Sequence, residues 1–184
     1  VLVDTGYENT RDDVLSCLQT HGVGHLDAII ITHYDRDHFG GISAIGKAMA
    51  VGTIYSPGYV GADKHYRTCI SSVESLGVPA QRVTEEVNLH LGNASLTIFP
   101  SDVQYVLEAG ETEGNDNDVS LVTSLVNGGD SYLFAGDLEE EGIAAYLAAK
   151  HGQFDVLKMP HHGGHSDNTS EFLNDVRPKL AVTT

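Results

Sequence analysis

Residues 26–41 read LDAIIITHYDRDHFGG, and this stretch carries the strongest structural and chemical signals of the sequence. It opens with a short apolar run rich in isoleucine, which is typical of a strand buried on both faces. Four residues of metal-ligand type then fall within six positions: His33, Asp35, Asp37 and His38. Loops at strand ends are where side chains can converge on one point. The dense cluster therefore predicts a metal site and not merely a solvated acidic loop.

The local geometry of this loop supports the prediction. In an extended chain, His33, Asp35 and Asp37 project to the same side, because side chains alternate along a strand. His38 becomes their neighbour once the chain turns. Gly40 and Gly41 follow directly, and two glycines allow a tight turn into the next helix.

Strand and helix signals alternate outward from this stretch in both directions. Two sets of strands with helices between them predict an α/β fold, with two sheets packed face to face and helices outside. In the first half we predict strands at 1–3, 26–31 and 52–55 and helices at 10–22, 40–50 and 62–76. In the second half we predict hairpins at 87–99 and 119–135, a loop at 109–118, strands at 154–159 and 179–184, and helices after Asp137 and at 169–176.

Length and charge limit the organisation of the chain and its partners. The 184 residues fit one domain, and both ends read as the inside of a strand. We therefore expect residues 1–184 to form a single domain truncated at both ends. The formal net charge of −16 predicts that the acidic domain alone does not bind nucleic acid stably.

Further candidate site residues follow predicted strands elsewhere in the chain. Asp137 comes after a glycine at a strand end, where an aspartate can equally be a helix cap. His161 and His162 stand together after another strand, and adjacent histidines have several structural explanations. Asp4 ends the first strand, where its alternative role is a turn residue that bonds to local backbone.

The order of these features resembles the metallo-β-lactamase superfamily over residues 1–184. The resemblance implies an αββα sandwich of two facing mixed sheets with helices outside, and a dinuclear metal site at one edge of the sheets. Within the superfamily, the chain is most similar to the metallo-β-lactamase domain of ComEC-type late-competence DNA-uptake proteins. The similarity rests on five motifs: LVDTG at 2–6, THYDRDHFGG at 32–41, NDVSLV at 117–122, FAGDL at 134–138 and VLKMPHHG at 156–163.

Carried over position by position, the resemblance implies a site for two divalent metal ions, zinc or manganese. The first ion would be bound by His33 and Asp35. The second would be bound by Asp37, His38 and His161, with Asp137 bridging the two ions. His162 would face the substrate or replace His161 as the ligand, and the sequence leaves that order open. Asp4 would orient the metal-binding loop through hydrogen bonds.

Two positions depart from the usual superfamily pattern. A histidine usually stands where this chain has Asp35, and another usually precedes the Gly-Asp strand. Residues 114–120 contain no histidine, so we expect Asp118 as a metal ligand, with Asn117 beside it, in contact directly or through water. Both changes replace nitrogen with oxygen, which favours manganese or magnesium, although zinc also accepts carboxylates.

The resemblance implies a hydrolase in which a metal-bound hydroxide attacks the substrate, with Asp37, His38 and His162 as the catalytic residues. We expect a phosphodiesterase or nuclease of ComEC type that acts on a small phosphodiester or on single-stranded DNA. The alternatives are hydrolysis of another small phosphodiester, a lactone or a carboxylic ester, and an inactive binding module. As part of a ComEC-like protein the chain would be extracellular or membrane-anchored, although no stretch of it is long and apolar enough to span a bilayer.

Overall fold

The computed structural model describes residues 1–109, 111, 114–149, 151–166 and 168–184, which form two compact units. The first unit comprises Val1–Arg82 and Leu107–Gly114, and the second comprises Val83–Val106 and Asn115–Thr184. The predicted loop at 109–118 lies partly outside the described residues. The expected organisation as a single domain stays a prediction.

The first unit is built on a four-stranded sheet in the order β1-β2-β3-β4. Its elements are β1 (Leu2–Val3), α1 (Arg11–Thr20), β2 (His25–Ile30), α2 (Arg36–Phe39), α3 (Ile42–Ala48), β3 (Ala50–Pro57), α4 (Lys64–Leu76) and β4 (Ala80–Val83). Strands β1, β2 and β3 run parallel, with Val3 beside Ile30 and Ile30 beside Tyr55. The carboxyl ends of β1 and β2 therefore meet at the same edge of the sheet.

The core of this unit is made by the apolar run that the sequence marked as a buried strand. Leu26, Ile29 and Ile31 are buried there against Cys69 and Val73 of α4. Helix α4 begins at a sequence-encoded cap, because Asp63 accepts a hydrogen bond from the backbone of Tyr66 at 2.9 Å. It ends at Gly77, which adopts the left-handed conformation common at helix ends.

The predicted helix at 40–50 is α3, and a short helix that the sequence did not predict, α2, precedes it and is separated from it by Gly40 and Gly41. The loop that follows β1 passes close to these glycines, and the backbone amide of Gly41 donates a hydrogen bond to Gly6 O at 3.0 Å. A Cβ on Gly41 would lie 2.4 Å from Thr5 O, so the glycine is required by the close approach of two backbones. Strand β4 was not predicted, because its sequence AQRV lacks an apolar alternation.

Gly41→Ala is expected to lower the free energy of unfolding by about 2 kcal/mol, because the added methyl group must displace backbone rather than a flexible side chain. Urea denaturation followed by circular dichroism measures the change. Gly24→Ala is the matched control, since a Cβ there meets nothing within 4 Å. Equal stability of the two variants would contradict the packing described for this turn.

The second unit is built on a six-stranded mixed sheet in the order β10-β9-β8-β7-β6-β5. Its elements are β5 (Val87–Leu91), β6 (Ala94–Phe99), β7 (Val122–Asn127), β8 (Asp130–Phe134), α5 (Glu140–Ala149), β9 (Val156–Lys158), α6 (Thr169–Val176) and β10 (Leu180–Val182). Both predicted hairpins are present, paired through Leu91 and Ala94 and through Asn127 and Asp130. Strand β9 then runs parallel to β8, so residues that follow the two strands leave at one edge.

The second unit has its own apolar core, in which Leu133 and Leu157 of the central strands are fully buried with Phe172 and Val176 of α6. Over the described ranges, no helix combines the length and apolar character that a bilayer crossing requires. Two sheets with helices agree with the α/β fold class that the sequence predicts.

Candidate metal centre

The loop after β2 holds its polar side chains in place by burying the residues between them. Tyr34 is fully buried, and its hydroxyl donates to Pro57 O at 2.8 Å. Its ring meets those of Tyr59 and Tyr66 edge-on, and burial raises the pKa of its phenol. Phe39 is buried at the other end of the loop. The ligand-type residues therefore sit on a backbone anchored at both ends.

His38 is oriented by Asp4. Its Nδ1 lies 2.7 Å from Asp4 Oδ2, and a carboxylate only accepts, so Nδ1 carries the proton. Asp4 also accepts from Thr32, from the backbone amide at 2.8 Å and from the hydroxyl at 2.9 Å. In the neutral ring Nε2 of His38 then carries the lone pair, which is the arrangement found in carboxylate–histidine–metal triads.

His33 is oriented by the same network. Its Nδ1 lies 3.1 Å from Thr32 Oγ1, whose own proton goes to Asp4, so the histidine nitrogen is the donor. Its Nε2 is buried and has no hydrogen-bond partner among the described residues. Leaving such an atom unsatisfied is costly, whereas a metal ion would satisfy it. The donor set therefore fits a metal.

Each of these two imidazoles has a carboxylate of the same loop beside its Nε2 atom. Asp35 Oδ2 lies 3.7 Å from Nε2 of His33, and Asp37 Oδ2 lies 3.6 Å from Nε2 of His38. At 3.7 Å the first pair is an electrostatic contact, and this interaction with His33 lowers the pKa of Asp35 in spite of partial burial. The loop thus presents two nitrogen–oxygen pairs.

Asp4, His161 and His162 adopt left-handed backbone conformations, with φ of 58°, 42° and 54°. Among the described non-glycine residues only Arg177, at the end of α6, also has positive φ. Such conformations cost about 1–3 kcal/mol each and cluster at functional sites. Three of the four are residues that the sequence marked as site candidates.

Asp137 lies just after β8 in the second unit and is almost completely buried. Its Oδ1 accepts from Lys158 Nζ at 3.0 Å, and its Oδ2 lies 3.0 Å from Nε2 of His162. Its backbone amide donates to Ser120 Oγ at 3.1 Å, and a Cβ on Gly136 would collide with Ser120. The glycine before the aspartate therefore permits this tight approach.

The two adjacent histidines have different surroundings. His162 Nδ1 lies 3.0 Å from Thr184 O, a carbonyl that only accepts, so Nδ1 is the donor. Its Nε2 faces Oδ2 of the Asp137 carboxylate at 3.0 Å, which brings together two atoms of metal-ligand type. His161 Nδ1 instead lies 2.9 Å from Glu139 Oε1.

Asn117 and Asp118 are both engaged with the start of α5. Asp118 Oδ1 accepts from the amides of Glu139 at 2.9 Å and Gly142 at 2.7 Å, which caps the helix. Burial raises the pKa of Asp118. The side-chain amide of Asn117 donates to Glu139 Oε1 at 3.0 Å. The ligand role predicted for Asp118 stays a prediction, and the structure shows a capping role that sequence reasoning missed.

Sequence reasoning also missed three side chains beside the candidates. Lys158 was quoted within a motif and given no role, yet it contacts both Gly136 O and Asp137. The sequence indicated only that Glu139 lies near the start of a helix. His65 lies 3.7 Å from Asp35 Oδ1, and nothing in its helical context marked it.

The fold and these donors define a class of protein, and the sequence profile of the metallo-beta-lactamase superfamily matches residues 1–183. The chain belongs to this superfamily of metal-dependent hydrolases.

Similar proteins show which members of the superfamily the chain resembles in sequence. The chain is 30% identical to ComE operon protein 3 of Bacillus subtilis over 169 residues, 90% of this chain and 20% of that protein. It is 27% identical to competence protein ComA of Neisseria gonorrhoeae, over 100% of this chain and 24% of that protein. It thus spans about a fifth to a quarter of the length of these curated relatives. Among solved structures, YhfI of Bacillus subtilis superposes with a TM-score of 0.51 at 14% identity, covering 99% of this chain and 75% of that one.

Proposed function

We propose that this chain is a metal-dependent phosphodiesterase that cleaves single-stranded DNA, a nuclease of ComEC type that works with two divalent cations. The observation that carries the proposal is the pair of imidazoles His33 and His38, each with Nδ1 held in a hydrogen bond and Nε2 beside a carboxylate. The similarity to a competence protein supports DNA as the substrate.

The proposed ligands are His33, Asp35, Asp37, His38, Asp137 and one histidine of the 161–162 pair. We favour His162 over His161, because His162 contacts Asp137 whereas His161 contacts Glu139. The contacts of Asn117 and Asp118 favour a role in holding the start of α5. Three carboxylates among six ligands make the site rich in oxygen, which suits manganese, and zinc also accepts such ligands.

Divalent ions bound here would acidify a water molecule and stabilise negative charge developing on the phosphate. The chain's own residues hold the protons of the two imidazoles on their Nδ1 atoms. Asp4 accepts a hydrogen bond from Nδ1 of His38 and so keeps the proton on that atom. The hydroxyl of Thr32 accepts a hydrogen bond from Nδ1 of His33 in the same way. Lys158 places a positive charge on Asp137 Oδ1 and so orients that carboxylate.

The proposal is tested by assaying the purified protein with Mn²⁺ or Zn²⁺ on bis(p-nitrophenyl) phosphate and on a labelled single-stranded oligonucleotide. We expect metal-dependent cleavage of both phosphodiesters, strongest with Mn²⁺, and little turnover of p-nitrophenyl acetate or a simple lactone. Turnover of the ester or lactone alone would assign a carboxylic-ester hydrolase instead. Turnover of no substrate with either metal bound would favour an inactive binding module.

Asp4→Asn is expected to lower Mn²⁺ affinity or turnover by about 10–100-fold, as is usual when a residue that orients a metal ligand loses its charge. Asparagine tolerates the left-handed backbone at this position, so the change removes charge without removing the turn. Its amide has only one accepting atom, so it cannot replace both carboxylate oxygens, which together accept from His38 and from the amide and hydroxyl of Thr32. Isothermal titration with Mn²⁺ measures the affinity, and Asp13→Asn on the exposed face of α1 is the control. Wild-type affinity in Asp4→Asn would contradict the orienting role.

A further inference from the structure

The first unit contains a cavity of about 780 Å³, bounded by the loop before α1 and by helices α2, α3 and α4. Its lining includes small residues, Gly40, Ser43 and Ala44 from the segment of α2 and α3 and Thr68 and Ser72 from α4. The run of small residues in the loop and α3 therefore leaves space as well as allowing close packing. The volume lies within the range of sites that hold a small molecule or a segment of a larger one.

The charge of this cavity is opposite to that of the chain. The formal net charge is −16, with only 10 Lys and Arg among 184 residues. Four of those ten line the cavity, Arg11, Arg36, Lys47 and Lys64, against a single acid, Glu8. Glu8 is paired with Arg11 at 3.6 Å, so three cations remain. Within the described residues, none of these three has an acid within 4.0 Å.

The cavity is adjacent to Asp35, one of the proposed metal ligands. Arg36 lines it and stands between Asp35 and Asp37 in the chain. His65 also lines it, and its Nδ1 lies 3.7 Å from Asp35 Oδ1. A strand with one phosphate at the metal-binding loop therefore has this cationic cavity beside it.

We propose that this cavity binds the phosphate backbone of single-stranded DNA next to the bond that is cleaved, an inference that rests on the proposed function. Lysine and arginine side chains with hydroxyl groups, here Ser43 and Ser72, are the groups that most often contact nucleic-acid phosphates. Contacts of this type fix the position of the strand and carry no sequence information. The cavity supplies a local attraction that the acidic surface elsewhere opposes.

The test uses Lys64→Glu, with Arg67→Glu as the matched control. Both residues are exposed on α4, but only Lys64 lines the cavity. Both substitutions place an acid near the positive end of the helix, so neither is expected to unfold it. Fluorescence anisotropy with a labelled mixed-sequence 12-mer, in EDTA at low salt, gives Kd without requiring turnover.

For the wild type we expect a Kd on the order of 10⁻⁵ M, in the usual range of sequence-independent binding. We expect Lys64→Glu to weaken binding about tenfold or more and to reduce the salt slope by about 1, as for the loss of one phosphate contact. With Mn²⁺, the ratio of kcat/KM on the oligonucleotide to that on bis(p-nitrophenyl) phosphate should fall by a similar factor. Arg67→Glu should leave Kd and the ratio near the wild-type values.

Equal effects of Lys64→Glu and Arg67→Glu would overturn the cavity as a strand-binding site, and so would oligonucleotide binding that neither variant weakens. Wild-type protein that does not bind the 12-mer would overturn it as well. These outcomes are separate from failure of the proposed function, which is decided by whether the wild type hydrolyses bis(p-nitrophenyl) phosphate. That substrate has a single phosphate, so it carries no second phosphate for the cavity to bind.

Discussion

Asp37→Ala is expected to lower kcat on bis(p-nitrophenyl) phosphate by at least about 10³-fold, and His38→Ala by as much. Loss of one ligand removes several kcal/mol of charge stabilisation, and each 1.36 kcal/mol is tenfold in rate. Asp37 is partly exposed and does not belong to the apolar core, so its removal should leave the melting temperature nearly unchanged. The measurements are steady-state turnover, metal content by mass spectrometry and a thermal melt.

His38→Ala carries an additional cost to stability. His38 is buried and donates to Asp4, which would lose one of its three donors. Asp4 keeps both hydrogen bonds from Thr32, so the loss should stay near 1–2 kcal/mol and the fold should persist. Asp13→Ala, on the exposed face of α1, controls for removal of an acid. Near-normal turnover in either ligand variant, with its metal content intact, would refute the proposed mechanism.

Much of the fold could be predicted because periodicity and turn residues are local signals. The run before Thr32 marked β2, and the glycine-containing turns marked both hairpins of the second unit. The close backbone approach at Gly41, which separates α2 from α3, could not be predicted, because it involves the backbone of Thr5, far away in sequence. Nothing near position 41 reveals that close approach.

The candidate site shows the same division between local and distant information. The sequence identified ligand types at strand ends, including Asp4, but the left-handed conformation of Asp4 and its bond to His38 depend on β1 lying beside β2. Lys158 gave no signal, because its contact with Asp137 follows from the parallel pairing of β8 and β9. Asp118 has a ligand-type side chain, yet its nearest donors are helix amides.

His162→Ala is expected to lower kcat by at least about 10²-fold and to release metal, whereas His161→Ala should retain activity within about tenfold. The two residues are neighbours, both have left-handed backbones, and both are partly exposed, with 43% of the His161 side chain and 37% of that of His162 accessible. Replacement by alanine therefore imposes similar backbone and burial costs at both positions, and each variant controls for the other.

The difference between them lies in what each imidazole contacts. His162 has a proton fixed on Nδ1 by Thr184 O and turns Nε2 toward the carboxylate of Asp137. His161 contacts Glu139, which lies at the start of α5 and also accepts from Asn117. Loss of His161 should therefore disturb the helix start, visible as a lower melting temperature, more than it disturbs metal binding. Titration of both variants with Mn²⁺ and their kcat on bis(p-nitrophenyl) phosphate separate the two roles. Strong loss of metal in His161→Ala, with His162→Ala near the wild type, would reverse the assignment and restore His161 as the ligand.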